Sequence, residues 1–234
     1  METNSAKNIF KSIRKVINVG VAMSGLRLDA GRTLFAWIPL LFASVWLFYQ
    51  AEQSEWFFAY SIGTWVSYYI GISLILGTSL KRVVIGKFGE KKAIQFYDMI
   101  FGLLFFNVGL GVAAAALHTG AVIPLPFALR VSLFVLLTVV GFGVKFWATW
   151  IVGIDTYYFR DLLVERSHGE FTVRGPYKKF GNPMYGVGNI HAYGPALVTG
   201  SLVGLIFALA CHIGIYGFFF IVEKPFIRRT YQSN

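Results

Sequence analysis

The chain has 234 residues, of which 56% are apolar, 18% aromatic and only 14% charged, with a formal net charge of +10. Soluble domains carry about a quarter charged residues, and disordered chains lack the Phe, Leu, Val and Ile abundant here; both classes are excluded in favour of a polytopic membrane protein. A single cysteine, Cys211, leaves no disulfide framework and no cysteine metal site.

Residues 1–33 are read as a basic cytoplasmic tail. They lack the short apolar core and cleavage site of a signal peptide. Within them Ile9, Phe10, Ile13, Val16 and Ile17 recur at near-helical spacing among basic residues. That suits either an interfacial helix on anionic lipid or a solvated positive tail. A membrane-crossing helix needs about 20 mostly apolar residues. Four candidates follow, at 34–49, 56–80, 99–117 and 131–153. The first contains Pro39, tolerable near a helix start. A last apolar stretch, 186–222, is too long for one crossing and is broken at Gly194-Pro195 and Thr199-Gly200-Ser201. It predicts a helical hairpin with a short arm at about 186–198 and a longer one at about 202–222. The fold class expected is therefore all-α integral membrane: four transmembrane helices plus a C-terminal hairpin, in one domain over 1–234. Every Lys and Arg except Arg130 and Lys145 then falls on one side of these spans. The positive-inside rule makes that side, with both termini, cytoplasmic. Such placement also explains the net charge without a nucleic-acid partner.

Two charges fall inside the spans. Asp98 begins the third, and Lys145 lies about 12 Å inside the fourth at the helical rise. Charges at such depth are functional candidates. The two could pair, or Lys145 could snorkel. Gly200-x-x-x-Gly204 and Gly141-x-Gly143 suit close helix packing.

The polar segment 154–185 concentrates Asp155, Tyr157, Tyr158, Arg160, Asp161, Glu165, Arg166, His168, Glu170, Arg174 and Tyr177 at the cytoplasmic face. The hairpin returns the chain to that face at Glu223-Lys224-Pro225-Phe226. The ordered set Gly175-Pro176-Tyr177, Asn182-Pro183-Met184-Tyr185, Tyr193-Gly194, Glu223-Lys224-Pro225-Phe226 and Tyr231 resembles the C-terminal half of the phospholipid (phosphatidylethanolamine) N-methyltransferases. These sit within the superfamily that includes the isoprenylcysteine carboxyl methyltransferases. The likeness covers about 141–231, and the earlier residues share only their membrane-helix character.

The resemblance implies an intramembrane methyltransferase that uses S-adenosylmethionine and acts on a membrane phospholipid. The amine of phosphatidylethanolamine, or of its mono- and dimethyl forms, is methylated toward phosphatidylcholine. Residues 154–234 would form the catalytic part, in the endoplasmic reticulum of a eukaryote or the inner membrane of a bacterium. Cofactor-binding residues carried over are Gly141, Gly143, Tyr177, Asn182, Pro183, Tyr185, Glu223 and Lys224. Lys224 stands where the family's second glutamate is expected. Chemistry agrees with these roles: Glu223 suits an ammonium, a basic residue suits a carboxylate, and tyrosines suit an adenine or a sulfonium. Arg160, Arg166 and Arg174 are candidates for the substrate phosphate. A protonated amine must lose a proton before attack, and His191 and Glu223 are the catalytic candidates. The alternative for His191 is a hydrogen bond within the hairpin. Rival readings are another lipidic acceptor, such as a prenylcysteine carboxylate or an isoprenoid, and a non-enzymatic membrane protein.

Overall fold

A computed structural model describes residues 2–25, 33–54, 56–118, 120–166 and 174–231, with side chains from 11 and 37 onward in the first two stretches. His168 and Glu170 lie outside the described residues, as do Arg27 and Arg32 of the basic tail. Among the described residues there is no strand, only one isolated antiparallel bridge between Val122 and Ser201.

The elements follow the apolar runs. Helix α1 spans Glu2–Ala22 and α2 spans Thr33–Gln53. A continuous rod, Phe57–Gly77, joins α3 (Phe57–Trp65), a π-helical turn (Val66–Ile70) and α4 (Gly71–Gly77). Helix α5 (Leu80–Phe88) leads into α6 (Glu90–Leu117) and α7 (Phe127–Val152). Among the described residues, four helices are long and apolar enough to cross a membrane: Phe57–Gly77, Glu90–Leu117, Phe127–Val152 and Leu202–Tyr231. The protein is an all-α membrane protein. Helix α2, at 21 residues, also reaches the length of a crossing, and Pro39 lies inside it rather than in its first turn. Helix α6 begins earlier than the apolar run at 99, because Glu90, Lys91 and Lys92 extend it at a polar end.

The hairpin differs in kind from a pair of α-helical arms. Its first arm is a 3-10 helix, Val187–Tyr193, followed by the short α10, Gly194–Thr199. Gly200 takes φ +80°, a left-handed turn that would strain any other residue. The second arm is a rod, Leu202–Tyr231, made of α11 (Leu202–Phe218), a π-helical turn (Phe219–Glu223) and α12 (Lys224–Tyr231).

Backbone and side-chain bonds fix the two ends of the bundle. At the hairpin tip, Ile123 N–H donates to the Gly200 carbonyl (2.8 Å) and Leu202 N–H to Ala121 (2.9 Å). Ser201 caps α11: its Oγ accepts from Gly204 N–H at 3.0 Å and shares its proton between the carbonyls of Ala115 and His118. Arg130 donates to the carbonyl of Leu197 (3.3 Å). At the opposite end, α8 (Ile154–Tyr157) and α9 (Arg160–Val164) fold back over the bundle through left-handed Phe159 (φ 56°) and Glu165 (φ 55°). Ion pairs hold them there. Lys81 Nζ meets Glu165 at 3.1 Å and donates to the Leu162 carbonyl at 3.1 Å. Arg166 pairs with Glu90, and Arg160 with Asp98 and Asp155.

The core near this end is an aromatic cluster of Tyr68, Tyr97, Phe101, Tyr157, Tyr158 and Phe159, joined by Leu162 and Leu163. Helix α1 leans on it. Val19 and Ala22 are buried, the Tyr158 hydroxyl donates to the Ala22 carbonyl (3.3 Å), and Lys15 Nζ stands 4.1 Å from the Trp150 ring. Ile13, Val16 and Ile17 point away and stay exposed. The basic tail is therefore helical here, with its apolar stripe turned outward.

Candidate active site

The site is built where the chain enters and leaves the hairpin. Gly175–Lys178 forms a 3-10 turn against α7 and carries Tyr177. Asn182-Pro183-Met184-Tyr185 follows as a tight turn. Asn182 Oδ1 accepts from Tyr185 N–H at 3.1 Å, an Asx turn. Pro183 is fully buried, and its carbonyl accepts from Gly188 N–H at 2.7 Å. These two residues are scaffolding: they aim Tyr185 inward. The Tyr185 hydroxyl donates to Glu223 Oε2 at 2.6 Å, within the π-helical turn of the second arm. Two clusters remote in sequence therefore meet through one short bond.

Tyr177 lies close enough to respond to the same carboxylate. Burial, and then the Glu223 charge, push the phenols of Tyr177 and Tyr185 above their ordinary values. Asp161, buried beside this group, accepts from Leu162 N–H (3.0 Å) and from the Tyr231 hydroxyl (3.2 Å). Among the described residues no Lys or Arg makes an ion pair with Glu223. Lys224 turns instead over the Phe220 ring, 5.1 Å away. The arrangement is a buried carboxylate, ringed by tyrosines, whose positive partner is missing. An ammonium or a sulfonium fits it.

Tyr185 also walls a cavity of about 450 Å³ that runs between the π-helical turn at Val66–Ile70, α6, α7 and the hairpin. The lining is largely aromatic and aliphatic, with Tyr157, Lys145, Asn189 and His191 among its polar members. Met23 and Ser24, just beyond α1, close one side. A volume of this order takes a lipid head group or a nucleoside-sized ligand.

The sequence candidates divide. Tyr177, Asn182, Pro183, Tyr185 and Glu223 come together. His191 lines the adjoining cavity, with its ring 4.2 Å from that of Phe142. Its Nδ1 lies 2.7 Å from the Gly188 carbonyl. A carbonyl accepts only, so Nδ1 carries the proton and Nε2 is left as the acceptor of the neutral ring. Gly141 and Gly143 do not act together. A Cβ on Gly141 would lie 2.7 Å from His191 N, so this glycine lets α7 touch the hairpin backbone. Gly143 faces open space, with nothing within 4 Å of its ideal Cβ. The arginines do not line the cavity. Arg160 is only 12% exposed and forks onto Asp98, with Nε–Oδ1 at 3.0 Å, and also reaches Asp155. Arg166 pairs with Glu90 at the surface, and Arg174 is exposed ahead of the 3-10 turn. The Asp98–Lys145 pairing is corrected: Arg160 holds Asp98, while Lys145 is 7% exposed and does not snorkel. Asp161 and Tyr231 were not singled out as site residues. The only sequence signals for them are the charge density of 154–185 and the Tyr231 that ends the family pattern.

Residues 129–234 match the family model described as phospholipid methyltransferase. This segment of the chain belongs to the phospholipid methyltransferase family. It is 33% identical over 106 residues to a phosphatidylethanolamine N-methyltransferase of Schizosaccharomyces japonicus, covering 45% of this chain and 12% of the relative. A protein of the same description from Schizosaccharomyces pombe is 32% identical over 106 residues, with the same coverage. One from Neurospora crassa is 32% identical over 100 residues, covering 41% and 10%. The matched part is thus about an eighth of those relatives' length. No solved structure matches the chain. The family segment begins with α7 and contains Lys145, Tyr185, His191 and Glu223. The far wall of the cavity, from Tyr68, Tyr69, Phe101 and Phe105, is supplied by residues before it.

Proposed function

We propose that the protein is an S-adenosylmethionine-dependent phospholipid N-methyltransferase acting on phosphatidylethanolamine or its mono- and dimethyl forms. The observation that carries this reading is the buried Glu223 carboxylate. It is held by Tyr185, has no basic partner among the described residues, and adjoins an apolar cavity inside the family segment. S-adenosylmethionine, when bound, supplies a methyl group on a sulfonium, and S-adenosylhomocysteine departs as the new N–C bond forms and the S–C bond breaks. Glu223 binds the donor's ammonium, with Tyr185 fixing the carboxylate and Tyr177 packed beside it. The aromatic wall excludes water and holds the lipid amine in line, which supplies much of the rate because the methyl is already activated. His191, held in its Nδ1–H form by Gly188, accepts the amine proton at Nε2. The positive-inside pattern supports placing the Tyr185–Glu223 end at the cytoplasmic face. The relatives' fungal origin supports an endoplasmic-reticulum-type membrane.

The test uses purified chain, methyl-labelled S-adenosylmethionine, and a panel of phosphatidylethanolamine, its mono- and dimethyl forms and a prenylcysteine. Label in a phospholipid amine is expected, lost in Glu223→Gln. Label only in the prenylcysteine, or in no acceptor, overturns the reading.

A further inference from the structure

Lys145 is the one group in the cavity wall whose charge nothing described answers. It sits on α7 seven residues before the helix ends at Val152, about 10 Å along the axis. It makes no ion pair and no side-chain hydrogen bond among the described residues. Its Nζ stands 5.4 Å from the centre of the Phe105 ring. An aromatic face does not replace a counter-ion for an ammonium held out of water. A second polar group faces the same ring. Tyr157, whose ring centre is 6.3 Å from that of Phe105, is 6% exposed and its hydroxyl has no hydrogen-bond partner. Both residues line the cavity. A buried cation and a buried, unanswered O–H therefore converge from α7 and α8 on one aromatic floor.

We propose that Lys145 and Tyr157 form an oxyanion subsite of this cavity. Lys145 supplies the charge and Tyr157 donates a hydrogen bond to a carboxylate or phosphodiester oxygen of the bound ligand. The wall then has opposite polarities in two places, the Glu223 carboxylate behind Tyr185 and the Lys145 ammonium beside Phe105. That matches a zwitterion, and both a methyl donor with an amino-acid end and an ethanolamine phospholipid are zwitterions. The assignment of these ligands rests on the function proposed above; the subsite itself rests on the two unanswered groups.

Equilibrium binding separates the sources and needs no turnover. The wild-type chain, K145M, K145R and Y157F are titrated with S-adenosylmethionine and its decarboxylated analogue, and with phosphatidylethanolamine and diacylglycerol in detergent micelles. K145M is expected to bind one oxyanion-bearing ligand at least tenfold more weakly, with the partner lacking that oxyanion unchanged. K145R keeps most of the affinity and Y157F loses a smaller factor. If the loss falls on S-adenosylmethionine, the anion is its carboxylate; if on phosphatidylethanolamine, its phosphodiester. Equal binding of all four ligands by K145M and wild type overturns the subsite. So does an equal loss for all four in a chain that still melts cooperatively. K145M is expected to melt no lower than wild type, because an unpaired buried charge is removed. If K145M and K145Q both fail to fold, the ammonium is a structural group and the proposal falls. Intact selective binding without methyl transfer would refute the enzymatic reading and leave the subsite standing.

Discussion

Replacing Arg160 by methionine separates a structural cation from a substrate-binding one. Arg160 and Asp98 are 12% and 13% exposed at their side chains, and the guanidinium approaches both carboxylate oxygens. Removing it leaves Asp98 mostly buried beside one fewer cation, a change worth about 3–5 kcal/mol when a buried pair is broken. The Asp155 arm is half-exposed and adds at most about 1 kcal/mol. The expected loss is thus roughly two to four decades in the folding equilibrium, at about 1.4 kcal/mol per decade. Thermal unfolding in detergent should show a midpoint lower by roughly 6–20 °C for a chain of this size. The partner change, Asp98→Leu in the Arg160→Met background, exchanges the pair for apolar groups. It should recover most of the loss, with a coupling of about 2 kcal/mol or more in the double-mutant cycle. If Arg160→Met instead melts within about 1 kcal/mol of wild type and raises the KM for phospholipid, Arg160 is a phosphate contact and the structural argument is wrong.

Three further outcomes follow from the site and its frame. Gly141→Val should destabilise by about 1–3 kcal/mol through overpacking against His191 N, while Gly143→Ala should leave donor binding unchanged and melt up to about 1 kcal/mol higher. Equal losses of donor affinity in both, measured by calorimetry, would restore the pair to a ligand motif. Tyr185→Phe removes the 2.6 Å bond to Glu223, a charge-assisted bond worth about 1.5–3 kcal/mol, and should weaken donor binding by ten- to a hundredfold; an unchanged Kd would show that the carboxylate needs no orienting. Ser201→Ala deletes the cap of α11 and should lower stability by about 1–2 kcal/mol without altering the Kd of the donor, since the tip lies at the end of the bundle opposite Glu223.

Spans, hairpin and the meeting of 174–185 with Glu223 were legible because they follow from apolar run length, breaks at Gly200-Ser201 and the chain's return to one membrane face. What resisted was azimuth. Hydropathy places Asp98 and Lys145 at similar depth, yet says nothing of which way α6 and α7 turn them, so Arg160, polar and distant in sequence, was not seen as the partner. Gly141-x-Gly143 shows the same limit: alternate residues on a helix point about 200° apart, and one packs on His191 while the other faces out. The 3-10 form of the first hairpin arm also escaped notice. Its Gly186, Gly188 and Gly194 read as close packing, but the contact that uses Gly188, a Cβ position 3.2 Å from the Lys145 side chain, exists only after α7 is in place.

The wide turn that holds Glu223 carries a consequence for how this chain tolerates length change. A π-helical turn is, in effect, one residue accommodated within an α-helix, and one residue is about 100° of rotation. Removing a single residue from 219–222 would let the rod relax to plain α geometry, with no gap in its hydrogen-bond ladder and little loss of apolar surface. Everything after it would then swing by more than a quarter turn relative to α11. Glu223 would leave Tyr185, and Phe226 and Tyr231 would lose their seats beside the aromatic cluster and Asp161. The second arm is thus indexed like a gear: a deletion nearly silent for helix formation would be decisive for the carboxylate, whereas the same deletion in the exposed stretch ahead of Gly175 would pass with little effect.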